Sequence, residues 1–329
     1  MAETGAFLGV GRAMDRAVQR AKLAEALGYG SIWMTQTAGR DSIMALLAYG
    51  QATERVRLGT GVVPIYQRTP AAMAQAAATA NELTGGRFVL GIGVSHKPAV
   101  EAMFGQPYRT PLADMREYLS ILCAILREGR ASFSGDRFSA NFGFMGYEPP
   151  HPSPVYISSL SPRMCRLAGE FADGVILWCC TPDYVRDHVA PNVAEGAREA
   201  GRDPSDVEIV AAVPLSASDD PDGGRAAMKR DLLVYWTLPN YRRAIRRAGY
   251  GDGLDAFDAA LKDGGPKEAA SAIPDAFCDA LGAAGDPKTL HAKVEEYRAK
   301  GTTVPAVGPF SGHDGARGAE ATLEFAIKG

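Results

Sequence analysis

The chain is poor in the features that most directly announce a function. Its five cysteines, Cys123, Cys165, Cys179, Cys180 and Cys278, are odd in number, and none stand at Cys-x-x-Cys spacing. That argues against a disulfide framework or a cysteine zinc site and for a reducing compartment. There is no basic run or arginine-rich tail, and the net charge is −3, so no nucleic-acid partner is expected. No stretch approaches ~18 uninterrupted apolar residues, so no membrane span is expected either. The opening MAETGAFLGVGRAMDRA lacks a basic region followed by an apolar run, so a signal peptide is not expected and the cytoplasm is. A His-Glu-x-x-His helix, a P-loop and a nucleophile triad signature are all missing. His188, His291 and His313 fall on helical patterns or in the tail and read as bland.

What is present is alternation. Short apolar runs at 6–10, 31–35, 56–63, 87–94, 154–158, 174–179, 207–213 and 302–308 read as strands. Most are followed by a helical pattern, at 14–28, 41–53, 71–83, 111–129, 161–173, 182–200, 287–301 and 316–327. Asp41, Thr69 and Ser161 stand where N-caps belong, and Gly28 and Gly301 where C-terminal caps belong. Residues 133–144 suggest a small hairpin with a Gly-Asp turn. Repeated strand–helix units imply a parallel sheet, and eight of them favour an α/β (β/α)8 TIM barrel over an open doubly wound sheet. The open sheet would carry Gly-x-Gly-x-x-Gly after an early strand. Gly91-Ile92-Gly93 is the nearest approach; no third glycine follows at the right spacing, and Pro98 interrupts. Residues 1–329 therefore read as one barrel domain. An insertion at about 214–281, with a Gly/Asp/Pro-rich turn at 218–224 and a helix near 225–236, is expected at the barrel mouth.

One loop carries a physical signal of its own. In Ser158-Ser159-Leu160-Ser161-Pro162-Arg163-Met164 a strand ends, small polar residues follow, and proline takes the first position of a helix capped by Ser161. Free amides at such a helix start, with Arg163 beside them, suit a phosphate. The same residues also read simply as a well-capped helix. Gly59 and Gly61, inside and at the end of the third strand, ask for a reason, because glycine weakens a strand.

Four stretches, 24–34, 52–94, 161–177 and 286–308, resemble the bacterial luciferase-like monooxygenase superfamily. They are most similar to its deazaflavin (coenzyme F420) branch of methylenetetrahydromethanopterin reductase-like proteins. The resemblance covers about residues 5–210 and 285–328. It implies a non-prolyl cis peptide joining Gly61 to Val62 behind the cofactor ring. It also implies a contact of Gly93, Val94 and Ser95 with the cofactor, and a phosphate cradle at Ser158, Ser159, Ser161, Pro162, Arg163 and Met164. Arg166 is a candidate to help hold a glutamylated tail. Many deazaflavin relatives carry an acidic residue and a histidine at the tip of the second strand, where this chain has Thr35 and Gln36. Neither is an acid near neutral pH. Thr35, Gln36 and His96 are the catalytic candidates, with Glu148 and Tyr66 as other acid sources and Trp178 as a pocket-lining candidate.

The resemblance implies hydride transfer between F420 and a small organic substrate, in a homodimer. The alternative is a two-component monooxygenase that takes reduced FMN from a partner reductase. A barrel that only binds a cofactor, without catalysis, is the reading from a different class.

Overall fold

A computed structural model describes residues 3–9, 11–36 and 38–328. Eight parallel strands close a barrel: β1 (Gly5–Phe7), β2 (Ser31–Met34), β3 (Arg57–Thr60), β4 (Phe88–Gly93), β5 (Val155–Ser158), β6 (Gly174–Leu177), β7 (Glu208–Ala217) and β8 (Val304–Pro309). Each pairs in parallel with the next, and β8 returns to β1 through Gly5 opposite Ala306. The (β/α)8 reading of the sequence therefore holds. A short strand, Val63–Pro64, extends the third unit against Ile92 and Gly93, and Ala283–Gly285 adds to β7 outside the barrel.

Helices α1 (Met14–Ala26), α2 (Ser42–Ala52), α3 (Pro70–Leu83), α4 (Pro111–Glu128), α5 (Pro162–Phe171) and α6 (Ala190–Glu199) follow the first six strands. Asp41, Thr69 and Ser161 cap α2, α3 and α5 by accepting from Met44, Ala72 and Met164 amides. Gly28 and Gly301 adopt positive φ after their helices. Several boundaries move. β1 spans Gly5–Phe7 rather than 6–10, with Val10 outside the described residues. The helix expected over 182–200 begins as a turn at Pro182–Tyr184 and a π-helical stretch, Val185–Val189. The hairpin begins earlier, pairing Arg130–Ser134 with Ser139–Gly143.

The barrel is filled, not hollow. Trp33, Val89, Tyr156, Ile176, Val210, Val304 and Ala306 form a buried interior cluster. Trp33 and Tyr156 meet with ring centroids 5.5 Å apart. A Cβ at Gly59 would overlap the Trp33 ring, and one at Gly174 would overlap Tyr156. These strand glycines are the room the two large aromatics require. Below them, Arg57 bridges Glu3 and Glu208 at 2.9 Å each, and Tyr156 donates to Glu208 at 2.6 Å. This polar knot lies at the N-terminal ends of the strands, the face that serves stability in such barrels.

Residues 221–281 are helical almost throughout: α7 (Pro221–Thr237), α8 (Pro239–Arg247), α9 (Gly251–Gly264), α10 (Pro266–Ala272) and α11 (Asp275–Leu281). They carry their own buried cluster around Trp236, Phe257, Phe277 and Leu281. The stretch read as a Gly/Asp/Pro-rich turn at 218–224 is instead the start of α7, with Asp220 capping Gly223 and proline following it. Helices α12 (Pro287–Ala299) and α13 (Gly318–Lys328) complete the chain. Among the described residues, no helix is long and apolar enough to cross a membrane.

Candidate active site

Six of the eight strands, and the segments that follow β3 and β4, line one cavity of about 1560 Å³ at the C-terminal ends of the barrel. A pocket for one drug-sized ligand runs to roughly 300–1,000 Å³. This volume has room for a large ligand and a second molecule together.

The tip of β2 is wired to the end of β3. The Thr35 hydroxyl donates to the Gly61 carbonyl at 2.8 Å, and the Gln36 amide donates to the Val62 carbonyl at 3.4 Å. The Gly61 amide in turn donates to Met34. The Gly61–Val62 peptide is cis, at the bond the resemblance implies. A Cβ at Gly61 would lie 2.6 Å from the Phe7 ring, so only glycine fits there. The Gln36 side chain is also occupied, its Oε1 accepting from the Ser42 amide at 2.7 Å where α2 begins. Thr35 and Gln36 thus line the cavity while their hydrogen bonds brace its wall.

The end of β4 contributes Val94, Ser95 and His96. Ser95 has φ +56°, a conformation uncommon for a residue with a side chain and typical of functional sites. Gly93 does not line the cavity. A Cβ there would overlap the Ser158 hydroxyl and lie 2.6 Å from Val62, so Gly93 lets the neighbouring strand ends close up. His96 is half-buried, and burial lowers its pKa below the ordinary histidine value. At neutral pH it is a neutral imidazole. Its ring lies 5.6 Å from that of Tyr241 on α8.

The β5 end behaves in two ways. Ser158, Ser159, Ser161, Pro162, Arg163 and Met164 all line the cavity. Yet the Ser159 hydroxyl sits 3.1 Å from the Cys165 sulfur, and Ser161 spends its oxygen on the Met164 amide. The groups left facing the cavity are the Ser158 hydroxyl and the exposed Arg163, which makes no ion pair among the described residues. Arg166 does not join them. It pairs with Glu195 on α6 at 2.8 Å, one turn further along α5, and does not line the cavity. The additional positive charge comes from the insertion, where Arg243 and Arg247 on α8 both line the cavity. Their spacing of four puts them on one helical face. Sequence reading missed them, although Tyr-Arg-Arg-Ala-Ile-Arg-Arg (241–247) shows the spacing.

The other proposed acids fall elsewhere. Tyr66 is buried and donates to Asp114 at 2.8 Å, which, with desolvation, pushes its pKa up, and Glu148 is exposed on a loop. Neither lines the cavity. One carboxylate does, Asp231 on α7, whose pKa is raised by desolvation although the cavity leaves it open to solvent. Trp178, after β6, lines the cavity with its indole nitrogen buried and unpartnered. No group of three or more His, Cys, Asp or Glu side chains that could hold a metal is found among the described residues.

A filled parallel barrel with a large cavity at the C-terminal ends of its strands, under a helical insertion, is the architecture in which (β/α)8 proteins carry their active sites. The family model described as luciferase-like monooxygenase matches residues 1–303, and the chain belongs to that family. A 5,10-methylenetetrahydromethanopterin reductase of Archaeoglobus fulgidus is 30% identical over 301 residues, 89% of each chain. Among solved structures, the coenzyme F420 dependent tetrahydromethanopterin reductase from Methanopyrus kandleri superposes with a TM-score of 0.83 at 22% identity, over 99% of this chain and 97% of that one. The oxygenating constituent of 3,6-diketocamphane monooxygenase from Pseudomonas putida, in complex with FMN, gives 0.66 at 19% identity, over 100% and 98%.

Proposed function

We propose that the protein is an oxidoreductase that binds a deazaflavin, coenzyme F420, in this cavity and passes a hydride between it and a small organic substrate. The observation that carries the reading is the charge of the cavity wall. Arg163, Arg243 and Arg247, with Arg40 just before α2, line it against a single carboxylate among the described residues, Asp231. That suits a cofactor with a phosphodiester and an acidic tail better than one ending at a monophosphate. The reductase names among the relatives support the same choice.

The residues present fit such a group. Arg163 and the Ser158 hydroxyl would hold its phosphate, and Arg243 and Arg247 its carboxylates. The Gly61–Val62 segment, fixed by Thr35 and Gln36, would form the wall behind its ring. When bound, the deazaflavin supplies a carbon that accepts or donates hydride. The chain supplies position and a proton acceptor. Neutral His96 is the cavity group suited to accept a proton from a substrate hydroxyl on an imidazole nitrogen, because its lowered pKa leaves that nitrogen free at pH 7.

The test is to mix the protein anaerobically with oxidised F420 and a panel of secondary and cyclic alcohols, following deazaflavin absorbance. Bleaching with at least one alcohol is the expected result. No bleaching with any substrate, together with oxygen consumption when reduced FMN is supplied, would overturn the reading in favour of a monooxygenase.

A further inference from the structure

Within the insertion, the face of α7 differs in kind from the cationic face of α8. Met228, Leu232 and Tyr235 fall at i, i+4 and i+7 on α7, one face of the helix, and all three line the cavity. Four rings then run in a row from the end of β6 to the end of β4. Trp178 and Tyr235 meet edge-to-face at 5.6 Å and Tyr235 and Tyr241 at 4.9 Å, while Tyr241 and His96 are tilted to one another at 5.6 Å. Edge-to-face spacing of this kind holds each ring in place and leaves a fixed apolar surface. The row is not wholly apolar. The Trp178 indole N–H is buried beside the Tyr235 hydroxyl, with no well-formed hydrogen bond among the described residues. A buried donor left unmet costs about 1–3 kcal/mol, which a ligand oxygen would relieve. Asp231, on the same helix, opposes an anion here.

We propose that this aromatic row is the substrate subsite, and that it takes an uncharged, ring-bearing alcohol or ketone. The ring lies against Tyr235 and Tyr241, and the oxygen function accepts from Trp178. The assignment as substrate site rests on the oxidoreductase reading, while the binding surface itself does not. The inner face of α7 and Tyr241 of α8 set specificity, while the strand ends and the α8 arginines hold the cofactor.

Equilibrium dialysis of the full-length protein, with and without saturating oxidised F420, tests this with two probes of similar size, 1-tetralone and 1-naphthoate. The neutral ketone should bind at least tenfold more tightly than the carboxylate. Tyr235→Ala should weaken 1-tetralone at least tenfold while F420 affinity stays within twofold. Trp178→Phe keeps the ring but removes the N–H, and should weaken the ketone threefold or more. Equal or tighter binding of 1-naphthoate overturns the proposal. So does unchanged ketone binding in both variants, once circular dichroism shows them folded. If F420 fails to bind while 1-tetralone binds and is lost in Tyr235→Ala, the subsite stands and the deazaflavin reading falls.

Discussion

Replacing Arg163 by glutamate reverses one charge at the mouth of the β5 loop. Arg163 is the second residue of α5, exposed, lining the cavity and without an ion pair among the described residues. Nothing in the fold depends on its charge, and an acidic residue in the first turn of a helix is mildly favourable. The variant should therefore fold as the parent does. A solvent-facing pair of opposite charges is worth about 0.2–1 kcal/mol. Reversal removes that attraction from a bound phosphate and adds a repulsion of similar size, about 0.4–2 kcal/mol in all. Since about 1.4 kcal/mol is tenfold in affinity, the F420 dissociation constant should rise roughly two- to thirtyfold. The assay is a fluorescence titration with oxidised F420 at two ionic strengths. The gap between variant and parent should narrow at high salt, as screening shortens from about 10 Å at 0.1 M. Arg166→Gln is the control, because Arg166 is turned away and held by Glu195. Its affinity should stay within twofold. Unchanged affinity in Arg163→Glu, or an equal loss in Arg166→Gln, would refute the cradle.

Three further outcomes follow from the geometry. Thr35→Val removes the donor to Gly61 and should cost about 0.5–1.5 kcal/mol in urea denaturation. It should leave the pH profile of turnover unshifted, since that hydroxyl braces the wall and is not an acid. His96 has a lowered pKa, so it is the free base through neutral pH and becomes protonated only below its ordinary range. Alcohol oxidation should therefore be flat from neutral pH upward and decline in acid, and His96→Asn should be slow with that acid limb gone. Gly59→Ala drives a methyl into the fully buried Trp33 ring, which has no room to retreat, and should destabilise the protein by about 1–3 kcal/mol on chemical denaturation.

The barrel was legible because its signals are local. A run such as Val-Tyr-Ile-Ser followed by a capped helix declares a strand–helix unit, and Asp41, Thr69 and Ser161 cap where their positions imply. Insertion helices were harder to see because glycine and proline there look like loop punctuation. In fact Pro221, Pro239 and Pro266 each start a helix, where the missing N–H costs nothing and φ is already set. Reading those prolines as first-turn residues would have revealed α8 and α10 and moved the start of the helix expected near 225–236 back to Pro221. Of the site, the β5 loop and the Gly61–Val62 bond were anticipated, the latter only through resemblance. Arg243, Arg247, Tyr235 and Tyr241 were not. They lie some eighty residues beyond the β5 loop in the sequence and reach the cavity only because α7 and α8 fold back over the strand ends. The roles of Thr35 and Gln36 are likewise tertiary, set by carbonyls and amides that local sequence does not place beside them.

The most direct measurement of the central claim is a paired titration of the purified protein with oxidised F420 and with FMN, followed by fluorescence under identical conditions. Saturable binding of F420, at least tenfold tighter than FMN, is the predicted result. Tight binding of FMN alone, or no binding of either, would contradict it.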